Sequence, residues 1–224
     1  DLGTLGGSES LPIAMNDKGQ IIGYSNHDDN EQAEPFIWEN NKMSMIFTSD
    51  GSYLNGVVDI NNNGLILGQS STDGEACKTP ACLYPVYLKN NNMVILGKDY
   101  KFFDVNNHDE ILGITSDYDS VFHTIMSYCM INLSEKVNCK DIVYRISSGH
   151  SYGSVVVYID GNIIKLDDLV LDDNLVFTGS LGINDRGEIL AMAFNYEDLH
   201  SHLYLVSLPK NILQILKNKL FTNA

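Results

Sequence analysis

At 224 residues, 44% of them hydrophobic and 19% charged, the chain is long enough to fill one core and has no compositionally disordered tract. Fourteen Lys and Arg stand against 29 Asp and Glu, a net charge of -15; that balance repels phosphate backbones and argues against nucleic acid as a partner. No apolar run approaches the roughly 20 residues that cross a bilayer as a helix, so no transmembrane segment is expected.

The first predicted element centres on NDKGQIIG, beginning at Asn16. Asn and Asp bond the backbone two residues on, and Gly19 supplies positive φ, so N-[DN]-x-G between apolar runs reads as a short hairpin turn. The pattern returns as NNNGLILG from Asn61, NNHDEILG from Asn106 and NDRGEILA from Asn184, at steps of 45, 45 and 78 residues. A period of about 40 to 50 residues belongs to propeller blades and similar arrays. Each anchor is preceded by a run such as LPIAMN or GVVDIN and followed by QIIGYS, LILGQS, EILGITS or EILAMAF. These runs are short, apolar and β-branched, which suits strands.

Later in each unit comes a second hairpin signal: PFIWENNKMSMIF, PVYLKNNNMVIL, CMINLSEKVNCKDI and VVVYIDGNIIKL, with a last one around HLYLVSL. Two hairpins per unit give the four strands of a propeller blade. The prediction is therefore an all-β, propeller-like array of about five repeat units over residues 1–208. The fourth, around VYRISSGHSYG, is eroded and accounts for the 78-residue step.

In the tail, residues 209–224, Ile212, Ile215, Leu216 and Leu220 mark one face of a short amphipathic helix, with Pro209 in its first turn. Lys210, Lys217 and Lys219 suit a membrane surface or a partner. Docking on the chain's own acidic domain is the commoner use of such a segment.

Asp1 in place of Met suggests a processed N terminus, as signal-peptide removal leaves. Cys77 with Cys82 and Cys129 with Cys139 form two close pairs without CxxC spacing, read as local disulfides of an oxidising compartment. Ser134, midway in the second pair, lies in LSEK, a turn sequence that would bring its flanks together. Four reduced thiols in a cytoplasmic protein is the competing reading.

DLGTLGG at the start, the turn and strand from Ala14 to Gly23, and an aromatic strand ending at Trp38 together resemble the HAF repeat, a bacterial extracellular repeat. Glu34-Pro35-Phe36-Ile37-Trp38 stands where that family has His-Ala-Phe-Leu-Trp, and His202-Leu203-Tyr204 keeps only the histidine. The likeness is strongest over residues 1–43. It implies secreted repeat architecture and brings no catalytic residue with it.

Several side-chain groups could carry chemistry. His200 and His202 would share one face of a strand, as some metal sites require, but a packing or exposed role is the commoner one and no third ligand is evident. NHDDNEQAE from Asn26 is rich in oxygen ligands yet lacks the spacing of a calcium loop. Asp167, Asp168, Asp172 and Asp173 could supply the paired acids of a glycosidase, although adjacent aspartates mostly cap turns. No cofactor and no metal are expected, and no catalytic residue is assigned. His150 and Tyr152, in the irregular fourth unit, are the candidate ligand contacts, with Trp38 and Tyr84 as aromatic platforms.

The resulting expectation is a secreted bacterial protein, or alternatively a periplasmic one. It would be monomeric and would bind carbohydrate or a protein surface rather than catalyse. An extracellular glycoside hydrolase built on acidic loop residues is the alternative.

Overall fold

The computed structural model describes residues 1–27, 30–49, 51, 54–71, 83–115, 154–170, 172 and 174–212. These residues are all-β. The first sheet is β1 (Ser10–Met15), β2 (Ile21–His27), β3 (Asn30–Glu39) and β4 (Lys42–Met45); the second is β5 (Gly56–Ile60), β6 (Ile66–Ser71), β7 (Leu83–Lys89) and β8 (Asn92–Ile95). The third comprises β9 (Tyr100–Val105), β10 (Ile111–Thr115), β11 (Val155–Ile159) and β12 (Asn162–Lys165), and the fourth β13 (Leu175–Ile183), β14 (Glu188–Asn195) and β15 (His200–Ser207). Every neighbouring pair is antiparallel and consecutive in sequence. A single 3-10 turn, Leu166–Asp168, separates the last two sheets.

The hairpin turns follow from the residues at their tips. Asn40 and Asn41 (φ 51° and 59°), Asn90 and Asn91 (51° and 61°), and Asp160 and Gly161 (47° and 83°) all take two successive left-handed conformations. That is the type I′ geometry matching the twist of the flanking strands, and Asn, Asp and Gly reach it with least strain.

The expected unit count changes in the third sheet. Strand β11 pairs with β10, placing Ile111 opposite Tyr158 and Gly113 opposite Val156. VVVYIDGNIIKL is thus the second hairpin of the third unit, not of a fourth. The long step between Asn106 and Asn184 arises because residues 116–154 enter between two neighbouring strands of one sheet. Among the described residues there are four sheets rather than five units. CMINLSEKVNCKDI, VYRISSGHSYG and the tail from residue 213 lie outside the described residues, as do all four cysteines.

The core is three apolar layers between successive sheets. Ile22, Val57, Ile66 and Leu88 fill the first, Leu67, Phe102, Ile111 and Val156 the second, and Val155, Val157, Phe177 and Ile189 the third. Val155, Val156 and Val157 are all fully buried because β11 has sheets on both faces. This explains why its sequence is continuously apolar instead of alternating. Each such side chain contributes roughly 1.5 to 3 kcal/mol by leaving water. Leu208 and Ile212 close the third layer, so the start of the tail docks on its own domain.

Candidate binding face

In a four-stranded meander the first and third turns lie at one end and the middle connection at the other. The four Asn anchors and the type I′ turns therefore share one end of the array. The connections holding residues 28–29, 72–82 and 116–153 leave from the opposite end.

At the anchor end, each first asparagine organises its own turn. Asn61 Oδ1 accepts from the backbone N–H of Asn63 at 3.0 Å and Leu65 at 2.9 Å; Asn16, Asn106 and Asn184 repeat this arrangement. The same side chain also bonds forward. Asn16 Nδ2 donates to the carbonyl of Asn61 (2.9 Å), Asn61 Nδ2 to that of Asn106 (2.8 Å), and Asn106 Nδ2 to that of Asn184 (3.0 Å). The second anchor position adds a parallel rail. The backbone N–H groups of Asp17, Asn62 and Asn107 donate to the side chains of Asn62, Asn107 and Asp185 respectively. Asn16, Asn61 and Asn106 are buried, where leaving any of these groups unpaired would cost about 1 to 3 kcal/mol each.

Two residues upstream of the second and third anchors, carboxylates make another link between units. Asp59 Oδ2 accepts from Val105 N–H at 3.1 Å and Asp104 Oδ2 from Ile183 N–H at 2.6 Å. Burial pushes the Asp59 carboxyl up to about 6, with neighbouring Asp104 adding to the rise against the backbone bonds. In the last unit the corresponding residue is Gly182. A Cβ there would sit 3.1 Å from Asp104 Oδ2, so the small residue leaves room for the bond.

Between successive turns lie grooves. One of about 430 Å³ separates the first and second units and is lined by Gln20, Glu39, Asn63, Asn90 and Asn91 above apolar Ile37 and Leu88. Another, of about 730 Å³, separates the third and fourth, with Glu110, Asp160, Asp185, Arg186, Lys210 and Asn211 at its rim. Between the second and third units, Lys89 reaches Asp109, which also accepts from Asn61 and Asn63. Burial tends to raise the Asp109 carboxyl, but these donors outweigh it and hold the group below its ordinary value. Asp109 occupies the position that is Gly in the other three anchors and accepts φ 62° there.

The sequence-derived candidates fare differently. Trp38 is half-buried in β3, facing Ile21 and Met43 across the sheet; Tyr84 is half-buried in β7 opposite Ser70. They belong to different sheets. His150 and Tyr152 lie outside the described residues. His200 and His202 do share a face, their rings 6.3 Å apart, and Asp198 joins them: its carboxylate accepts from His202 Nε2 at 2.7 Å and its backbone carbonyl from His200 Nδ1 at 2.6 Å. No group of three or more metal-ligating side chains occurs among the described residues.

Asp167 Oδ1 caps Phe177 N–H and Asp172 Oδ1 caps Asn174 N–H, so both serve as turn acceptors. Burial raises the Asp167 carboxyl, partly offset by the Phe177 bond. What sequence reasoning missed is the forward bonding of the anchors. Its trace is that all four first positions are Asn, although Asp would shape the turn equally well.

No family model and no curated protein matches the chain. Among solved structures, TolB from Acinetobacter baumannii is similar at 10% identity with a TM-score of 0.46, over 88% of this chain and 43% of that one. The chain spans less than half the length of that protein. Fold and turns together define an all-β repeat array of antiparallel sheets. No helix among the described residues is long and apolar enough to cross a membrane.

Proposed function

We propose that the chain is a secreted, non-catalytic recognition protein, propeller-like in its sheet arrangement, whose anchor-turn face binds carbohydrate. One observation carries the reading: grooves at equivalent positions between units present amides and carboxylates above an apolar floor. Side-chain amides and carboxylates suit sugar hydroxyls, the apolar floor suits pyranose faces, and both volumes fall in the range of about 300 to 1,000 Å³ typical of small-molecule sites.

The hydrolase alternative requires a carboxyl held protonated as a general acid. In the larger groove Asp185 tends the other way, because the backbone and side-chain N–H groups of Asn107 hold its carboxyl below the ordinary value. Secretion goes with the two local cysteine pairs, which remain an expectation open to non-reducing peptide mapping. A glycan array tests binding. Retention of a glycan class by the wild type, with loss in Asn91→Gly and Lys210→Ala variants of unchanged thermal stability, supports the proposal. Retention unaffected by both substitutions would move the site away from this face, and absence of any glycan binding would remove the ligand class.

A further inference from the structure

The ladder of anchors has two unfilled ends. At its last rung Asn184 Nδ2 makes the bond back to Glu188 Oε2 that Asn16 and Asn106 also make to Gln20 and Glu110, but among the described residues it donates forward to no further turn. At its first rung no turn among the described residues donates to the carbonyl of Asn16 in the way that Asn16 donates to Asn61. The sheets behind these ends are unfinished in the same sense. On the first sheet Met15 is 68% exposed and stands in one cross-strand row with Ile21 and Trp38. Trp38 alternates along β3 with Ile37, which packs into the first core layer, and so lies on the outward face with them. On the fourth sheet Leu181, Leu203 and Leu205 are 68%, 64% and 64% exposed. Inside the chain, equivalent faces are covered by the next sheet.

We infer that the fourth sheet of one copy docks on the first sheet of a second copy, continuing the asparagine ladder from Asn184 to Asn16. The contact is heterologous, joining two different faces, and generates rings or chains. It reproduces an interface that the chain already makes three times within itself, which is why a second copy of this chain is the fitting occupant.

The second rail predicts how tightly the copies join. Within the chain the facing pairs are Asp17 with Asn62, Asn62 with Asn107, and Asn107 with Asp185. Every internal step has at least one amide. The junction would place Asp185 against Asp17, two carboxylates, so association of the natural chain is weak at neutral pH. Asp17→Asn converts the junction into the Asp–Asn pair found at the first step, and it leaves the first step as the Asn–Asn pair found at the second.

Sedimentation velocity over a concentration series at pH 7.5 tests this. Asp17→Asn should associate about tenfold more tightly than wild type, the equivalent of about 1.4 kcal/mol. Asp185→Asn should do the same. In the Asp17→Asn background, Met15→Asp and Leu203→Asp should each give monomers, because each blocks one face at an exposed position. Their equimolar mixture should give capped dimers, because each supplies the face that the other lacks. Circular dichroism checks that both remain folded; Trp38→Asp and Leu205→Asp replace either one that does not. Monomeric Asp17→Asn and Asp185→Asn at every concentration would overturn the inference. So would association that survives the blocking substitutions, or a mixture that stays monomeric.

Discussion

The side-chain amide of Asn106 donates to the backbone carbonyl of Asn184 at 3.0 Å, although 78 residues separate them. Asn61 makes the same bond to Asn106 across 45 residues. The link between units needs the amide's donor, while Oδ1 accepts from the backbone of its own turn. Asn61→Asp keeps the acceptor and replaces the donor by a carboxylate facing the Asn106 carbonyl and Asp109. A loss of about 2 to 4 kcal/mol is expected at pH 7 by urea denaturation, from a buried charge against like groups and a lost bond. Asn184→Asp, whose amide meets only the exposed Glu188 contact, should lose under about 1 kcal/mol. Equal losses at the two positions would mean that the forward bonds add nothing.

Asp59 makes stability depend on pH in a particular direction. Its carboxyl is raised to about 6 from 3.8 in the folded chain, chiefly by burial. The native state therefore holds a proton that the unfolded state has released, and stability falls as pH rises through this interval. Asp59→Asn should flatten that fall between pH 4 and 6.5. Because the group is partly exposed, the difference should stay near 1 kcal/mol after solvent screening. Parallel urea titrations at the two pH values check it, and an unchanged slope would clear Asp59 of the effect.

Gly64 sits at φ 76° in the second anchor, where a Cβ would meet only Gln20 Oε1, at an ordinary contact distance of 4.0 Å. Val there should destabilise by about 1 to 3 kcal/mol through backbone strain alone, because a β-branched residue disfavours that region. Asn at the same position should be milder. Thermal melts of the two variants distinguish strain from crowding, which would penalise both.

Asp109→Gly removes a non-glycine residue from φ 62° and also removes the partner of Lys89, Asn61 and Asn63. Relief of strain and loss of polar contacts oppose each other, so stability should change by no more than about 1 kcal/mol. The space spanned by the Lys89–Asp109 pair between the second and third units should widen, and under the proposed function the number of ligand molecules bound per chain should rise. Calorimetric titration with an identified glycan reads that number.

The hairpins were legible because turn chemistry is local: Asn–Asn and Asp–Gly pairs force type I′ geometry wherever they stand between apolar runs. The strands around them were equally plain. The unit count was not, because it depends on which distant strand pairs with β10, and VVVYIDGNIIKL carries the same pattern in either unit. The period also gave no hint that Asp59 and Asp104 would bond to the next sheet, since the upstream aspartates occur only in the two middle anchors and read as ordinary polar positions. Trp38 was legible as a candidate contact because an aromatic ring can stack on a pyranose face. Its placement on the outer face of the first sheet comes from alternation relative to Ile37, which requires knowing where the neighbouring sheet lies.

Where residues 116–154 interrupt the third sheet, the chain is clamped at its points of exit and return: Thr115 N–H donates to the Ser154 carbonyl at 3.0 Å, and Ser154 N–H to Thr115 Oγ1 at 3.1 Å. This imposes an order on biosynthesis. The first two sheets are complete once Ile95 has left the ribosome, whereas the second edge of β10 must await the return of β11. Closing so long a loop slows the step far more than it weakens the product, since its entropy grows only logarithmically with length. Over that interval the nascent chain exposes the unpaired N–H and C=O groups along the β10 edge, the kind of template on which another strand can add.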